Sequence, residues 1–580
     1  MNILIRYSLI LFLFLAQACQ RPDSDAPLPV VPKPSSGNLT ISTNKAMYSP
    51  DEEVVFTLNE SLTAPAFVRY TYLNEVVGEE SVSGTSWIWK APVTDFKGYM
   101  ATVYQVEDYQ EKVLTTVGVD VSSDWSRFPR YGFLSKFSEM SESDINGIIE
   151  NLNRHHINGI QFQDWHYKHH KPWAGTPVWK DIANRENYLS TVKGYIDAAH
   201  DRNMKAISYN LIYGALQNAA QDGVSEEWYL YKDKNHSLKD KHPLPNPPFI
   251  SDIFLVNPGN AAWQEYFINE NRKIYEALPF DGFQMDQLGN RNTNHYTYNG
   301  TLIDLPATYK PFIEVMKADN PQKSLIMNAV NQYGQEGIAQ APVDFLYSEV
   351  WSPNEMFSDL SKIIMDNDDF SSNTKKTVLA AYMNYNLANN KGSFNTPSIL
   401  LADAVIFAFG GAHLELGEHM LGKEYFPNNN LEMKEDLKKA LVTYYDFLVA
   451  YQNLLRDGGT FNNPSLSNIG QIQLNNWPPQ SGQVSVVGKE VGNKQVIHLL
   501  NFSSAATFEW RDTGGIQPYP QVVKDVKLSF TSSKTVTKLW FASPDFDKGA
   551  PIQLDFTQSG DKVSFTLPSL QYWDMIVAEY

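Results

Sequence analysis

Phe280-Asp281-Gly282-Phe283-Gln284-Met285-Asp286-Gln287 reads as a short buried strand that ends on a carboxylate. Phe345-Leu346-Tyr347-Ser348-Glu349-Val350-Trp351 repeats that arrangement, an apolar run closing on an acid. In a parallel α/β barrel the carboxyl ends of the strands carry the loops where chemistry occurs. The separation of Asp286 from Glu349 suits two βα units of roughly 30 residues each. Strands four and six of eight would then carry the two acids to opposite sides of strand five, on one rim. Paired carboxylates of this kind suit glycosidic bond cleavage, one serving as nucleophile or base and the other, held protonated, giving a proton to the leaving oxygen.

Outward from these stretches, strand-like and amphipathic helical runs alternate between about residues 123 and 456, the texture of βα units. Eight strands are predicted: Tyr131–Phe137, Gly159–Trp165, Lys205–Leu211, Gly282–Gln287, Ser324–Val330, Phe345–Val350, Val378–Asn384 and Ala404–Leu416. Glu142–His155 and Tyr188–Arg202 are predicted helices, the first with Ile145, Ile148, Ile149 and Leu152 on one face. The long connections after strand three, from Ile212 to about Asn260, and after strand eight, from Gly417 to about Asn430, are candidate substrate-binding loops.

The flanks read differently. Residues 38–122 alternate in short runs such as Glu53-Val-Val-Phe-Thr-Leu58, predicting an immunoglobulin-like β-sandwich. Residues 457–580 return to alternation and predict an antiparallel β-sandwich, acting as a structural cap or as a glycan binder. A chain of 580 residues is too long for one core, in keeping with several domains around a central (β/α)8 barrel. Residues 1–18 have the apolar run Leu9 to Ala16 of an export signal, too short for a permanent span. Ala16-Gln17-Ala18-Cys19 is like a bacterial lipoprotein cleavage box, with Ala where Leu is preferred. Cys19, the single cysteine, would then be lipidated and anchor an exported protein to a membrane, with residues 19–37 as a flexible tether. No thiol would remain for a disulfide.

A formal net charge of −18 argues against nucleic acid, which draws its affinity from Lys and Arg on phosphates. The 13 Trp, 31 Tyr and 31 Phe offer faces on which sugar rings stack, although most such rings serve cores. Asp164, ending strand two, is a third acid on the rim. Tyr209 and Asn210, Asn328, Trp351, Tyr382 and Asn384 follow strands three, five, six and seven, a mixture of amides and rings suited to a sugar. His166, His169 and His170 are close enough in sequence to share a zinc, but Lys168 sits among them and no His-Glu-x-x-His element exists, so no metal is expected. No Gly-x-Ser-x-Gly elbow, dinucleotide loop or Walker loop is present, and no cofactor is expected.

Gln161-Phe-Gln-Asp164-Trp165, Asp281-Gly-Phe-Gln-Met-Asp-Gln-Leu-Gly289, Tyr347-Ser-Glu-Val-Trp351 and His413-Leu-Glu-Leu-Gly-Glu-His-Met-Leu-Gly-Lys-Glu-Tyr-Phe-Pro-Asn428 together resemble glycoside hydrolase family 66. That family comprises dextranases and cycloisomaltooligosaccharide glucanotransferases acting on α-1,6-linked glucan. The resemblance covers the whole barrel. It implies Asp286 as nucleophile, Glu349 as general acid/base, Asp164 as an acid near the donor sugar, and retention of anomeric configuration. Trp165, His166, Gln287, Glu415 and Glu418, within or beside those motifs, join the expected substrate contacts. Cyclising members carry an extra carbohydrate-binding module near the seventh barrel unit. Here only about Asn386 to Leu401 joins strand seven to the next helix, which favours endo-hydrolysis of dextran to isomaltooligosaccharides. The alternatives are a glucanotransferase and a non-catalytic surface glycan-binding lipoprotein.

Overall fold

The computed structural model describes residues 39–580. Eight strands form one parallel sheet: β1 (Tyr131–Leu134), β2 (Gly159–Phe162), β3 (Lys205–Leu211), β4 (Gly282–Asp286), β5 (Ser324–Val330), β6 (Leu346–Glu349), β7 (Thr377–Ala380) and β8 (Ala412–His413). Each pairs with its sequence neighbour, in the order β8-β7-β6-β5-β4-β3-β2-β1. The sheet nearly closes, because Phe133 N–H of β1 donates to Leu416 O just beyond β8 across 3.1 Å. Helices follow the strands in turn: α1 (Glu142–Arg154), α2 (Leu189–Asp201), α3 (Ala261–Ala277), α4 (Tyr309–Asp319), α5 (Gln335–Ala339), α6 (Phe357–Phe370), α7 (Thr396–Ala408) and α8 (Glu435–Ala450).

Alternation along each strand sorts the side chains between two cores. Tyr131, Phe133, Ile207, Ile326, Phe345, Tyr347, Val378, Ala380 and Ala412 fill the barrel interior. The residues next to them, such as Ile160, Phe162, Phe283, Met285, Leu325, Met327 and Leu379, pack outward under the helices. Trp125 plugs the floor, edge-on to Phe345 at 5.5 Å. Gly159 opens β2 because any side chain there would meet that indole, with a Cβ only 2.1 Å from it.

The predicted eighth strand, Ala404–Leu416, is a misreading. Residues 404–408 are the last turn and more of α7, and the strand proper is Ala412–His413. All thirteen residues of α7 are buried, so no polar face marks a helical period. The legible signals were at its ends: Asn395 accepts from Ser398 N–H as N-cap, Pro397 stands in the first turn, and Gly410 follows with φ 88°.

Antiparallel sheets flank the barrel. On the N-terminal side a three-stranded sheet (Ile41–Thr43, Glu53–Leu58, Ser86–Lys90) and a four-stranded sheet (Glu75–Val82, Ala66–Tyr72, Lys97–Glu107, Gln110–Val121) share one apolar core. The long hairpin of the second sheet lies on α8, where a Cβ on Gly98 would come within 2.0 Å of Val449 O. On the C-terminal side a seven-stranded and a four-stranded sheet enclose a separate core. Its pairing departs from pure antiparallel where Leu474–Asn476 runs parallel beside Val484–Val491. The signal segment, the tether and Cys19 lie outside the described residues.

Candidate active site

Asp286 is the last residue of β4 and Glu349 the last of β6, and both point into the mouth because they share the inward parity of Gln284 and Tyr347. Asn328 on β5 stands between them. Its Nδ2 donates to Asp286 Oδ1 across 2.8 Å and to Glu349 Oε2 across 2.8 Å, so those oxygens lie no further apart than twice that distance. Asp286 Oδ2 accepts from Tyr209 Oη at 2.5 Å, and Oδ1 also from Gln287 N–H at 2.8 Å. Glu349 Oε1 accepts from Trp351 Nε1 and from Tyr382 Oη, each at 3.0 Å.

Both carboxyls are walled by protein and keep only partial exposure to the cleft. Burial raises both above the usual carboxylate range. Glu349 reaches about 7, through desolvation first and then the neighbouring charge of Asp286. The bonds to Asp286 are the shorter set, and aspartate is intrinsically the stronger acid, so Asp286 ionises first and its charge holds the proton on Glu349.

Asp164 lies in the turn beyond β2 with φ 52° and is half-buried. Desolvation lifts its carboxyl to about 6, opposed by Arg185 and assisted by Asp181 and Asp286. Arg185 is a residue the sequence reading missed. It bonds Asp181 Oδ2 at 2.7 Å and Ser135 O at 3.3 Å, and nothing in its sequence neighbourhood marks it as belonging to the rim. Arg511 was missed likewise. Coming from the loop between the C-terminal strands Lys494–Asn501 and Val523–Thr531, it donates to Val350 O at 2.7 Å and Tyr382 O at 3.0 Å and covers the Trp351 ring at 4.8 Å.

Of the expected sugar contacts, Asp164, Trp351 and the edges of Tyr209, Asn328 and Tyr382 belong to the mouth. Others do not. Trp165 is fully buried against Phe280 and Trp179 under the helices. Asn210, one place on from Tyr209, faces outward and spends its amide on His169. His166 is buried behind Tyr209, 2.9 Å from His169. Gln287 turns under the loop to Asn328 O and Gly289 N–H. Asn384, with φ 51° and no exposure, ties Asp512 O and Asn395 N–H. Glu415 is buried with Tyr445, His413 and Asp403 behind β8. Glu418 accepts from Ser135 N–H and Oγ and so braces the loop after β1. Strand parity takes Asn210 and Gln287 off the mouth, and a left-handed backbone does so for Asn384.

The rim loops are cross-tied by acids. Asp222, after β3, bonds Lys168, His170 and Lys171 from the loop after β2. Asp240 bonds Arg291 and His295 from the loop after β4. The histidines thus serve loop packing.

A near-closed parallel barrel with two facing carboxyls at the carboxyl ends of alternate strands defines a glycoside hydrolase. A family model for glycosyl hydrolase family 66 matches residues 43–577, and the chain belongs to that family. It is 28% identical to a cycloisomaltooligosaccharide glucanotransferase of Niallia circulans, over 92% of this chain and 72% of that protein. It is 24% identical to a dextranase of Streptococcus salivarius, over 90% of this chain and 71% of that protein. The crystal structure of a Paenibacillus sp. cycloisomaltooligosaccharide glucanotransferase complexed with cycloisomaltoheptaose superposes with a TM-score of 0.85 at 26% identity, covering 93% of this chain and 100% of that one.

Proposed function

We propose that this enzyme hydrolyses α-1,6-glucosidic linkages inside dextran with retention of configuration, releasing isomaltooligosaccharides. The observation that carries the reading is the single amide of Asn328 bonded to both carboxyls. It keeps the two oxygens it bonds within twice 2.8 Å of each other, which is compatible with the ~5–5.5 Å between the carboxyls of retaining enzymes and short of the ~6.5–9.5 Å that inverting enzymes need to seat a water. Asp286 attacks the anomeric carbon while protonated Glu349 donates to the leaving O6. Glu349, now ionised, then takes a proton from water, which displaces Asp286 and returns the anomeric centre to its first configuration. Asp164, beside Asp286, receives donor-sugar hydroxyls, and Trp351 offers its ring to a neighbouring sugar.

Hydrolysis is favoured over cyclisation by the short path from β7 to α7, residues 381–395, which has room for no inserted module. Incubation with dextran, chromatography of the products and NMR of the first-formed anomer test the reading. Linear isomaltooligosaccharides of α configuration are expected. Cyclic products would replace it by the glucanotransferase reading, and no new reducing ends by the glycan-binding one.

The export-signal pattern and Ala16-Gln17-Ala18-Cys19 support an exported lipoprotein anchored through Cys19. Among the described residues no helix is long and apolar enough to cross a membrane. Cys19→Ala is expected to release the enzyme from the membrane fraction; retention there would overturn the anchor.

A further inference from the structure

At the floor of the barrel, opposite the mouth, three cations of this acidic chain are gathered around one cavity of about 270 Å³. Its walls include Asp368 at the end of α6, Lys376 before β7, Gly410 before β8, Arg456, and Phe461 and Lys489 from the C-terminal sheet. The cations are deeply placed, with Arg456 1%, Lys489 4% and Lys376 7% exposed. Arg456 gives Nη2 to Pro129 O at 2.9 Å and Nε to Gly410 O at 3.3 Å, while its Nη1 is buried with no partner among the described residues. Among the described residues Lys489 Nζ reaches only Leu455 O, at 2.9 Å, and lies 5.1 Å from the Phe461 ring.

Asp368 in the lining favours all three charges, with Asp120 acting more strongly on Arg456 and Asp457 acting on both lysines. It acts across the cavity, since among the described residues it forms no ion pair with any of them. Asp369 also belongs to the lining but is exposed. A buried cation with a free N–H is costly, and a small anion between the groups removes that cost. Burial first, and then the neighbouring cations Lys376 and Arg130, push the Lys489 ammonium down to about 8 and the Arg456 guanidinium down to about 9.

We propose that this cavity binds inorganic phosphate in a protonated form. The chemistry of the walls is two-sided: Lys376, Arg456 and Lys489 only donate, whereas Asp368, raised by burial but opposed in this by the three cations, only accepts in its ionised form. Hydrogen phosphate meets both, its oxygens receiving from the cations and its P–OH donating to Asp368. Sulfate has no proton to give and would set an oxygen against that carboxylate. The bound anion would join α6, the floor of the barrel and the C-terminal sheet, and so raise the stability of the fold by binding only the native state.

The test uses the full chain in titration calorimetry and thermal melts with sodium phosphate, sulfate or chloride at matched ionic strength. Phosphate is expected to bind and raise Tm, with sulfate weaker by about tenfold or more, the ratio that one unmatched charged contact produces. Lys376→Met is expected to lower phosphate affinity by about tenfold or more while dextran cleavage continues, which also reports that the variant folds. Asp368→Asn is expected to bring phosphate and sulfate to similar affinity. Equal behaviour of phosphate and chloride with the natural chain would overturn the site, leaving water alone in the cavity. Sulfate binding as tightly as phosphate would overturn the role of Asp368 and with it the choice of ligand. Should Lys376→Met not fold, the anion comparison on the natural chain decides the matter by itself.

Discussion

The phenol of Tyr209 on β3 donates to Asp286 on β4 across 2.5 Å, the shortest of the bonds to either candidate catalytic carboxyl. A donor so close stabilises the ionised form, which is the form a nucleophile must have. Tyr209→Phe leaves the ring and removes the hydroxyl. Asp286 then ionises at higher pH, and the acid limb of the kcat/KM profile is expected to move upward, with kcat lower by about tenfold, the loss of one hydrogen bond to a charge. An unmoved acid limb would show that the phenol does not act on Asp286.

Removal of either carboxylate is expected to be far more severe. Asp286→Asn and Glu349→Gln each keep shape while abolishing nucleophile or proton donor, and turnover of dextran is expected to fall by about 10³-fold or more. Substrates with a good leaving group separate the two, because departure then needs no proton. Glu349→Gln is expected to regain the first step on an activated aryl glycoside, seen as a burst, and Asp286→Asn is not.

The pH profile follows from the assigned states. Glu349 must carry its proton, and its value is raised to about 7, so activity is expected to decline as pH rises through neutrality. Asp286 must be ionised, so activity also falls on the acid side, and both limbs report the pair as a unit. Trp351→Phe removes a donor to the ionised form of Glu349, which raises that group further. The alkaline limb is therefore expected to move to higher pH in this variant, a shift read directly from kcat/KM.

Arg511 reaches the site from a loop of the C-terminal region. Its bonds to Val350 O and Tyr382 O hold the segments that carry Trp351 and Tyr382, the two donors to Glu349 Oε1. Arg511→Met is expected to lower kcat/KM on dextran by about tenfold, with a far-ultraviolet dichroism spectrum like that of the natural chain. Full activity would show that the barrel positions those rings unaided.

Arg130 and Asp120 form an ion pair with both side chains fully buried, the arginine also bonding His156 O and Phe128 O. Gln452 after α8 donates to the same aspartate. The pair links the N-terminal sheet to the barrel. Arg130→Met strands a buried carboxylate and is expected to cost about 3–5 kcal/mol in urea unfolding, whereas an exposed pair such as Lys90–Asp51 is worth ~0–1 kcal/mol.

How legible the molecule was can be judged strand by strand. Seven of the eight barrel strands were readable from their apolar runs, and Asp286 and Glu349 from the acids that close two of them. The eighth failed because α7 is apolar on every side and hides its period, although Asn395 and Pro397 announced its start. Among the rim residues, parity would have separated Tyr209 from Asn210 and Asp286 from Gln287, since neighbouring side chains on a strand take opposite faces. Asn384 escaped even that rule, because a left-handed backbone interrupts the alternation after β7.

By itself the amino-acid order determined the alternation of strands and helices and the two carboxylates at strand ends, because these rest on local periodicity and on residue type. Only the folded chain decided that Asn328 clasps both carboxyls, that Arg511 reaches over from a loop of the C-terminal region to brace the donors to Glu349, and that Arg185 stands beside Asp164. Those relations join residues far apart along the polymer. Their distances follow from barrel closure and domain packing, which no local pattern encodes.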